Sequence, residues 1–254
     1  MRMLTFANRT FKEIIRDPLT VAFGLGFPLV VLLLLTAIQA NVPVALFELD
    51  KLTPGICVFG LSFVSLFSAM LISKDRETSL QRRLFTTPLT AADFLLGYSL
   101  PMLPISVLQS VICYVAALIL GLKPTVGILW ALLFLLPAAL LYIAIGLLCG
   151  SLLTDKQVGG ICGALLTNLT AWLSGVWFDV SLMGKVFKKI ADALPFIHAV
   201  ELERAALAGD ISAAVHELPI VLGYAVILSA VGIAVFTKKT VSYTHLTLPT
   251  NSRV

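Results

Sequence analysis

Charge is scarce in this chain of 254 residues. Only 13% are Asp, Glu, Lys or Arg, while 59% are hydrophobic. A soluble domain carries about 25% charged and about 45–50% apolar residues. With so few polar groups the chain could not cover its own surface in water. That excludes intrinsic disorder, a nucleic-acid-binding domain and a secreted disulfide scaffold, and it argues strongly against a water-soluble enzyme. The four cysteines, Cys57, Cys113, Cys149 and Cys162, lie apart in apolar runs. They read as small buried hydrophobes rather than as a redox or metal pair. No cleavable signal peptide is expected. The first apolar run begins near Leu19, is too long for a signal core, and is followed by no small-residue cleavage pattern.

Catalytic signatures are missing too. There is no G-x-x-x-x-G-K-[ST], so the chain does not bind ATP through a P-loop. There is no G-x-S-x-G, H-E-x-x-H or C-x-x-C. Ser174 has no candidate His within the apolar runs. His198 with Glu201 and Glu203 lacks a second His at ligand spacing, so no metal site is expected. The apolar runs also lack ionisable residues away from their ends, unlike the helices of proton- or cation-coupled carriers. Energy for any transport must then come from elsewhere. The most polar groups well inside the runs are Gln109 and Asn168. Each could line a substrate path or hold helices together.

What is present is a set of six long apolar runs: 19–40, 54–73, 94–120, 126–148, 158–178 and 218–236. A helix of roughly 20 apolar residues crosses a hydrocarbon core of about 30 Å. Runs this long are helices, not the short alternating strands of a membrane barrel. The expected fold is an all-α integral membrane protein with six transmembrane helices. With the N-terminus in the cytoplasm, 12 of the 18 Lys and Arg fall inside and 6 outside. The positive-inside rule therefore puts both termini in the cytoplasm.

The segments between the runs are amphipathic. Residues 1–18 place Leu4, Phe11, Ile14 and Ile15 near one helical face, with Phe6 at its edge, and Arg9, Lys12, Glu13 and Arg16 mostly on the other. Such a helix suits the cytoplasmic interface, with its cations among lipid phosphates. The loop 74–93 carries charge and a stripe of Leu80, Leu84 and Phe85, ends at Pro88, and continues into T-A-A-D, a capping pattern for the next span. It is a natural docking element for a soluble partner. The loop 151–157 has room for one turn around Thr154, Asp155 and Lys156. Residues 179–219 are too short and polar to span, and fit short interfacial or re-entrant helices between spans five and six. Gly146-x-x-x-Gly150 and Gly159-x-x-x-Gly163 mark close helix packing within the chain. The tail T-V-S-Y-T-H-L-T-L-P-T-N-S-R-V resembles translated sequencing-adapter sequence. The expected division is a transmembrane domain over 1–240 and a non-native tail over 241–254.

Three stretches carry a resemblance to a known family. They are the basic amphipathic N-terminal helix, R-E-T-S-L-Q-R-R-L-F-T-T-P-L-T-A-A-D-F-L-L-G over 76–97, and the outer segment over 177–210 with its proline-ended helix and hydrophobic-His-x-x-x-x-x-Arg run. Together they resemble the membrane subunits of ABC-2 type exporters. Ser79 departs from the Gly that often stands there, and Phe178-Asp179 from Phe-Pro. The resemblance implies a multi-pass permease of a bacterial-type inner membrane that exports an amphiphilic drug, lipid or glycan-lipid. It implies a separate ABC ATPase that binds the ATP and Mg, with no cofactor on this chain. It further implies a homodimer or a pair with a second permease, lipid contacts, and no nucleic-acid partner. Glu77, Leu80, Arg82, Arg83, Leu84 and Phe85 would form the ATPase-coupling helix, ended by Thr87 and Pro88. Asp155 and Lys156 would make a second cytoplasmic contact. The alternative is a structural or assembly membrane protein of the same layout without transport, and an intramembrane enzyme is a third reading.

Overall fold

The computed structural model describes residues 2–44, 46–77, 91–177 and 180–246. Among them every regular element is helical and there is no strand. α1 is Arg2–Arg16. α2 is Pro18–Gln39, started by the Asp17 side chain, which accepts from the backbone N–H groups of Leu19 and Thr20. α3 is Leu49–Glu77. α4, Ala91–Ser99, and α5, Met102–Ile119, follow one another across a turn at Leu100 and Pro101. α6 is Gly127–Leu152. α7 covers residues 155–173 in three pieces, Asp155–Val158, a π-helical Gly159–Leu166 and Thr167–Leu173. After a 3-10 turn, Val180–Met183, come α8 (Lys185–Asp192), α9 (Pro195–Ala208) and α10 (Ile211–Leu246).

Among the described residues five helical stretches are long and apolar enough to cross a membrane: Pro18–Gln39, Leu49–Glu77, Leu96–Ile119, Gly127–Leu152 and Ile211–Lys238. The sequence led us to expect six. The run at 158–178 instead ends its helix at Leu173 and begins it at Asp155, so it takes in Asp155, Lys156 and Gln157 and loses its apolar C-terminal part. Its glycines also open a π turn, which glycine tolerates better than residues with a side chain to pack. A similar π segment, Ala22–Gly26, interrupts α2 around Gly24 and Gly26.

α3 is the central helix. Its apolar window is 83% buried, against 22% for α2 and 17% for α10. It packs on α2, α5, α6, α7 and α9. In lipid there is no hydrophobic drive between two apolar helices, so close packing has to hold them. The Gly146–Gly150 pair serves this purpose. A Cβ on Gly146 would stand 2.5 Å from the Ser65 carbonyl oxygen, and one on Gly150 would stand 2.7 Å from that of Ala69. Larger residues would force α6 off α3. Gly159, by contrast, faces open space.

α8 and α9 have 8 and 14 residues. At 1.5 Å per residue α9 is about 21 Å long, too short to cross the hydrocarbon core. α9 is nonetheless set into the bundle, with Phe196, Ala199, Val200, Leu202, Glu203 and Ala206 buried against α3, α6 and α10.

Candidate functional site

The foot of the bundle, where α1 meets the C-terminal end of α3, gathers a network of charged side chains. Phe6, Ala7, Thr10 and Ile14 are the buried face of α1, whereas Leu4 and Ile15 are more than half exposed. The packed face is therefore offset from the stripe of purely apolar residues. Thr10 can belong to it because its hydroxyl donates back to the Phe6 carbonyl at 3.1 Å. Phe6 meets the Tyr98 ring edge-on at 5.0 Å, over Gly97, where a Cβ would collide with it.

Arg9 then reaches across to α3. Its guanidinium donates to both Asp75 oxygens, at 3.1 and 3.4 Å, and to Glu13 at 2.9 Å. The Tyr98 hydroxyl donates to the same Asp75 carboxylate at 2.7 Å. Burial works against the Arg9 charge, but the hydrogen bond and charge of Asp75 outweigh it and raise the Arg9 pKa above its ordinary value. Asp75 thus joins α1, α3 and α4 at one point.

The last turn of α3 also holds the short loop before α7. Arg76 donates to the Gly150 carbonyl at 2.6 Å and to the Leu153 carbonyl at 3.2 Å, satisfying the C-terminal end of α6. Ser73 donates to Asp155 at 3.2 Å, and the Glu77 carboxylate accepts the Asp155 backbone N–H at 3.1 Å. Thr154 and Gln157 form a capping box that starts α7. Of the residues singled out in the sequence, Glu77 and Asp155 come together here, and Lys156 stands exposed beside them. Leu80, Arg82, Arg83, Leu84, Phe85, Thr87 and Pro88 lie outside the described residues. Beside α1 a basic cavity of about 880 Å³ is lined by Arg9, Lys12, Arg16 and Lys74, with Phe67 and Leu71 as apolar wall.

Gln109 and Asn168 have different surroundings. Gln109 is fully buried, and its amide donates to the Cys57 carbonyl at 3.3 Å, tying α5 to α3. Asn168 is exposed and donates to the Ala164 carbonyl of its own helix at 2.8 Å. It lines a cleft of about 650 Å³ with Phe27, Phe59, Phe63, Trp172 and Trp177. Phe27, Phe59 and Phe63 pack ring against ring at 5.1 to 6.4 Å, and Phe59 meets Trp177 at 5.6 Å.

The far end of the bundle holds α9 in place by its own polar contacts. Arg204 donates to the Lys51 and Gly175 carbonyls at 3.2 and 2.8 Å, and pairs with Glu201 at 2.8 Å. His198 sits between the Glu217 carboxylate of α10, at 2.6 Å, and the Asp192 carbonyl of α8, at 2.9 Å. Glu203 is different. It is fully buried, and neither of its carboxyl oxygens has a hydrogen-bond partner. Burial pushes its pKa well above the usual carboxylate range.

The comparisons with known proteins meet this geometry. The family model for the ABC-2 type transporter matches residues 1–208, from α1 through α9. The chain belongs to the ABC-2 type transporter family. It is also 30% identical over 123 residues to a Porphyra purpurea protein named "Putative transport permease ycf38". That match covers 46% of this chain and 42% of the relative. Family membership and the apolar helices make the chain a multi-pass membrane protein.

Asp75 and Tyr98 were not singled out from the sequence, and Glu203 was weighed there only with His198 and Glu201 as a metal set. Arg9 and Asp75 are 66 residues apart, and no local spacing announces their meeting. Glu203 did carry a signal. It falls in register with Ala199, Val200, Ala206 and Leu207, on the apolar face of α9.

Proposed function

We propose that this permease is the membrane subunit of an ATP-driven exporter, working with a separate ABC ATPase that carries the ATP and Mg. The observation that carries the reading is the convergence at the foot. There α1, the end of α3 that leads into residues 78–90, and the Thr154–Asp155 turn are bonded to one another through Arg9, Asp75, Arg76 and Glu77. A push on any of these segments is delivered to the central helix. In this reading Glu77, Leu80, Arg82, Arg83, Leu84 and Phe85 belong to the coupling helix, ended by Thr87 and Pro88, that seats in the ATPase, and Asp155 and Lys156 touch it second. The foot is cytoplasmic, both termini lie there, and the membrane is the bacterial-type inner membrane.

α7 serves as the sixth crossing in this reading. Its 19 residues reach about 28 Å at 1.5 Å per residue, close to the hydrocarbon thickness of about 30 Å. The aromatic cleft beside Asn168 supports an amphiphilic cargo. Its walls are rings and aliphatic chains, with Asn168 and Thr167 as polar points. The permease works as a dimer, of itself or with a second permease. The transmembrane domain is residues 1–240, and 241–254 is a non-native tail.

The test is co-expression of the tagged chain with the ABC ATPase encoded beside it, extraction in mild detergent, and an ATPase assay. A complex of equal subunit number that hydrolyses ATP, and that is lost in L84D/F85D, is the expected result. A folded chain that purifies alone would instead favour a structural membrane protein.

A further inference from the structure

The far end of the bundle contains more polar atoms than it contains bonds for them. On α3 the Thr53 hydroxyl is buried without a partner, on α5 so are the hydroxyls of Ser110 and Tyr114 and the Gln109 carbonyl oxygen, and on α9 so are both oxygens of Glu203. These residues form one neighbourhood. Gln109 donates to the Cys57 carbonyl, Ser110 and Cys113 interact with the Cys57 thiol, and Tyr114 and Cys57 both feel the Glu203 charge. An ionised carboxylate there would be unsolvated and without a cation, met only by the nearby Tyr114 hydroxyl, a state that costs several kcal/mol. A neutral carboxylic acid avoids that cost and gains a donor.

Among the described residues no charged group of α6, α7, α8 or α10 interacts with Glu203. The titratable groups facing it are Tyr114 from α5 and Cys57 from α3, and both are neutral near pH 7. On α9 itself, Glu201 and Arg204 pair with each other toward the surface and offer it nothing. A proton is the one cation that fits without a cavity, and neither the basic cavity beside α1 nor the aromatic cleft is lined by Glu203.

We propose that Glu203 is a proton-binding site, whose bound proton keeps α9 seated in the bundle and whose release accompanies withdrawal of α9 from it. The balance is simple. The carboxylic O–H breaks, the proton passes to water, and the carboxylate left behind is hydrated at the opened end. The equilibrium between seated and withdrawn α9 then carries one proton. Its constant rises roughly tenfold per pH unit between the ordinary carboxylate pKa and the raised value of the seated state. The site is a property of the chain's own packing and does not depend on the cargo or on the ATPase.

Cys57 and Cys113 are fully buried in this neighbourhood and serve as built-in reporters. In a C149S/C162S background, the full chain in nanodiscs is labelled with a hydrophilic maleimide from pH 5 to pH 8. The E203Q variant is the reference for the thiols' own pH dependence. The ratio of wild-type to E203Q labelling should climb by up to about tenfold per pH unit over part of that range. Parallel profiles would overturn the proposal. So would a wild-type rate that follows Na⁺ at fixed pH, because the site would then hold a metal cation. If E203Q fails to fold, infrared spectra of the wild type supply the answer. A protonated carboxyl band near neutral pH, shifted in E203D, is expected, and its absence sinks the idea.

Discussion

The two ends of the bundle handle buried charge in opposite ways. At the foot, Asp75 is matched: Arg9 and Tyr98 donate to it from two other helices. At the far end, Glu203 is fully buried and no cation meets it, while Arg204 beside it in sequence bonds elsewhere. A matched charge fixes three elements in one arrangement, because any displacement strands a partner. An unmatched one keeps α9 seated only while it is neutral. The foot is thus built to transmit and the far end to let go.

That contrast can be broken at its strongest point first. D75A should cost about 3 kcal/mol in thermal or denaturant unfolding, since it leaves the buried Tyr98 hydroxyl without its acceptor and Arg9 with Glu13 alone. D75N should recover part of the loss, because its carbonyl oxygen still accepts from Tyr98. Stability unchanged in D75A would mean that α1 is not locked to the bundle. R204A should cost about 2 kcal/mol through the two lost charge-assisted bonds to the Lys51 and Gly175 carbonyls. Its proteolysis should begin near α9, whereas D75A should expose α1. Y98F removes one of the bonds to Asp75 and should cost about 1 kcal/mol.

The far end has its own signature in pH. The seated Glu203 holds a proton that the unfolded chain gives up near pH 4.3. Above that value the native state binds more protons than the unfolded state, so stability falls as pH rises toward the seated-state pKa. E203Q should flatten that slope, as read from melting curves between pH 5 and 8. The smallest effect belongs to Asn168, whose side chain bonds only within its own helix. N168A should stay within about 0.5 kcal/mol of the wild type in stability. If the aromatic cleft carries cargo, the same variant should still change which amphiphiles stimulate ATP hydrolysis.

Much of the scaffold is written in composition. Runs such as 126–148 can only be buried helices, and Gly146-x-x-x-Gly150 marks a seam that the structure places between α6 and α3. The Thr154–Asp155 turn was legible because its loop has room for little else. The bounds of the run at 158–178 were not legible, because hydropathy ignores helix phase and start signals. Thr154 begins the helix earlier, and it ends before the Gly175 turn. The face by which α1 packs on the bundle was not legible, because Thr10 counts as polar by type but is internally bonded. The Arg9–Asp75–Tyr98 junction depends on three helices meeting, which no local pattern encodes. Glu203 could have been found by position, since it interrupts an apolar stripe.

The seam between α3 and α6 has a mechanical consequence. Where Ser65 meets Gly146 and Ala69 meets Gly150, backbone rests on backbone, and no side chain is available to swing aside and absorb a displacement. The two helices therefore behave as one lever rather than as two rods in a soft sleeve. Twenty residues of helix measure about 30 Å, so a tilt of about 5° applied at Arg76 would sweep the opposite tip through roughly 2–3 Å. That is comparable to the length of a hydrogen bond, and it would arrive where Arg204 grips the Lys51 carbonyl.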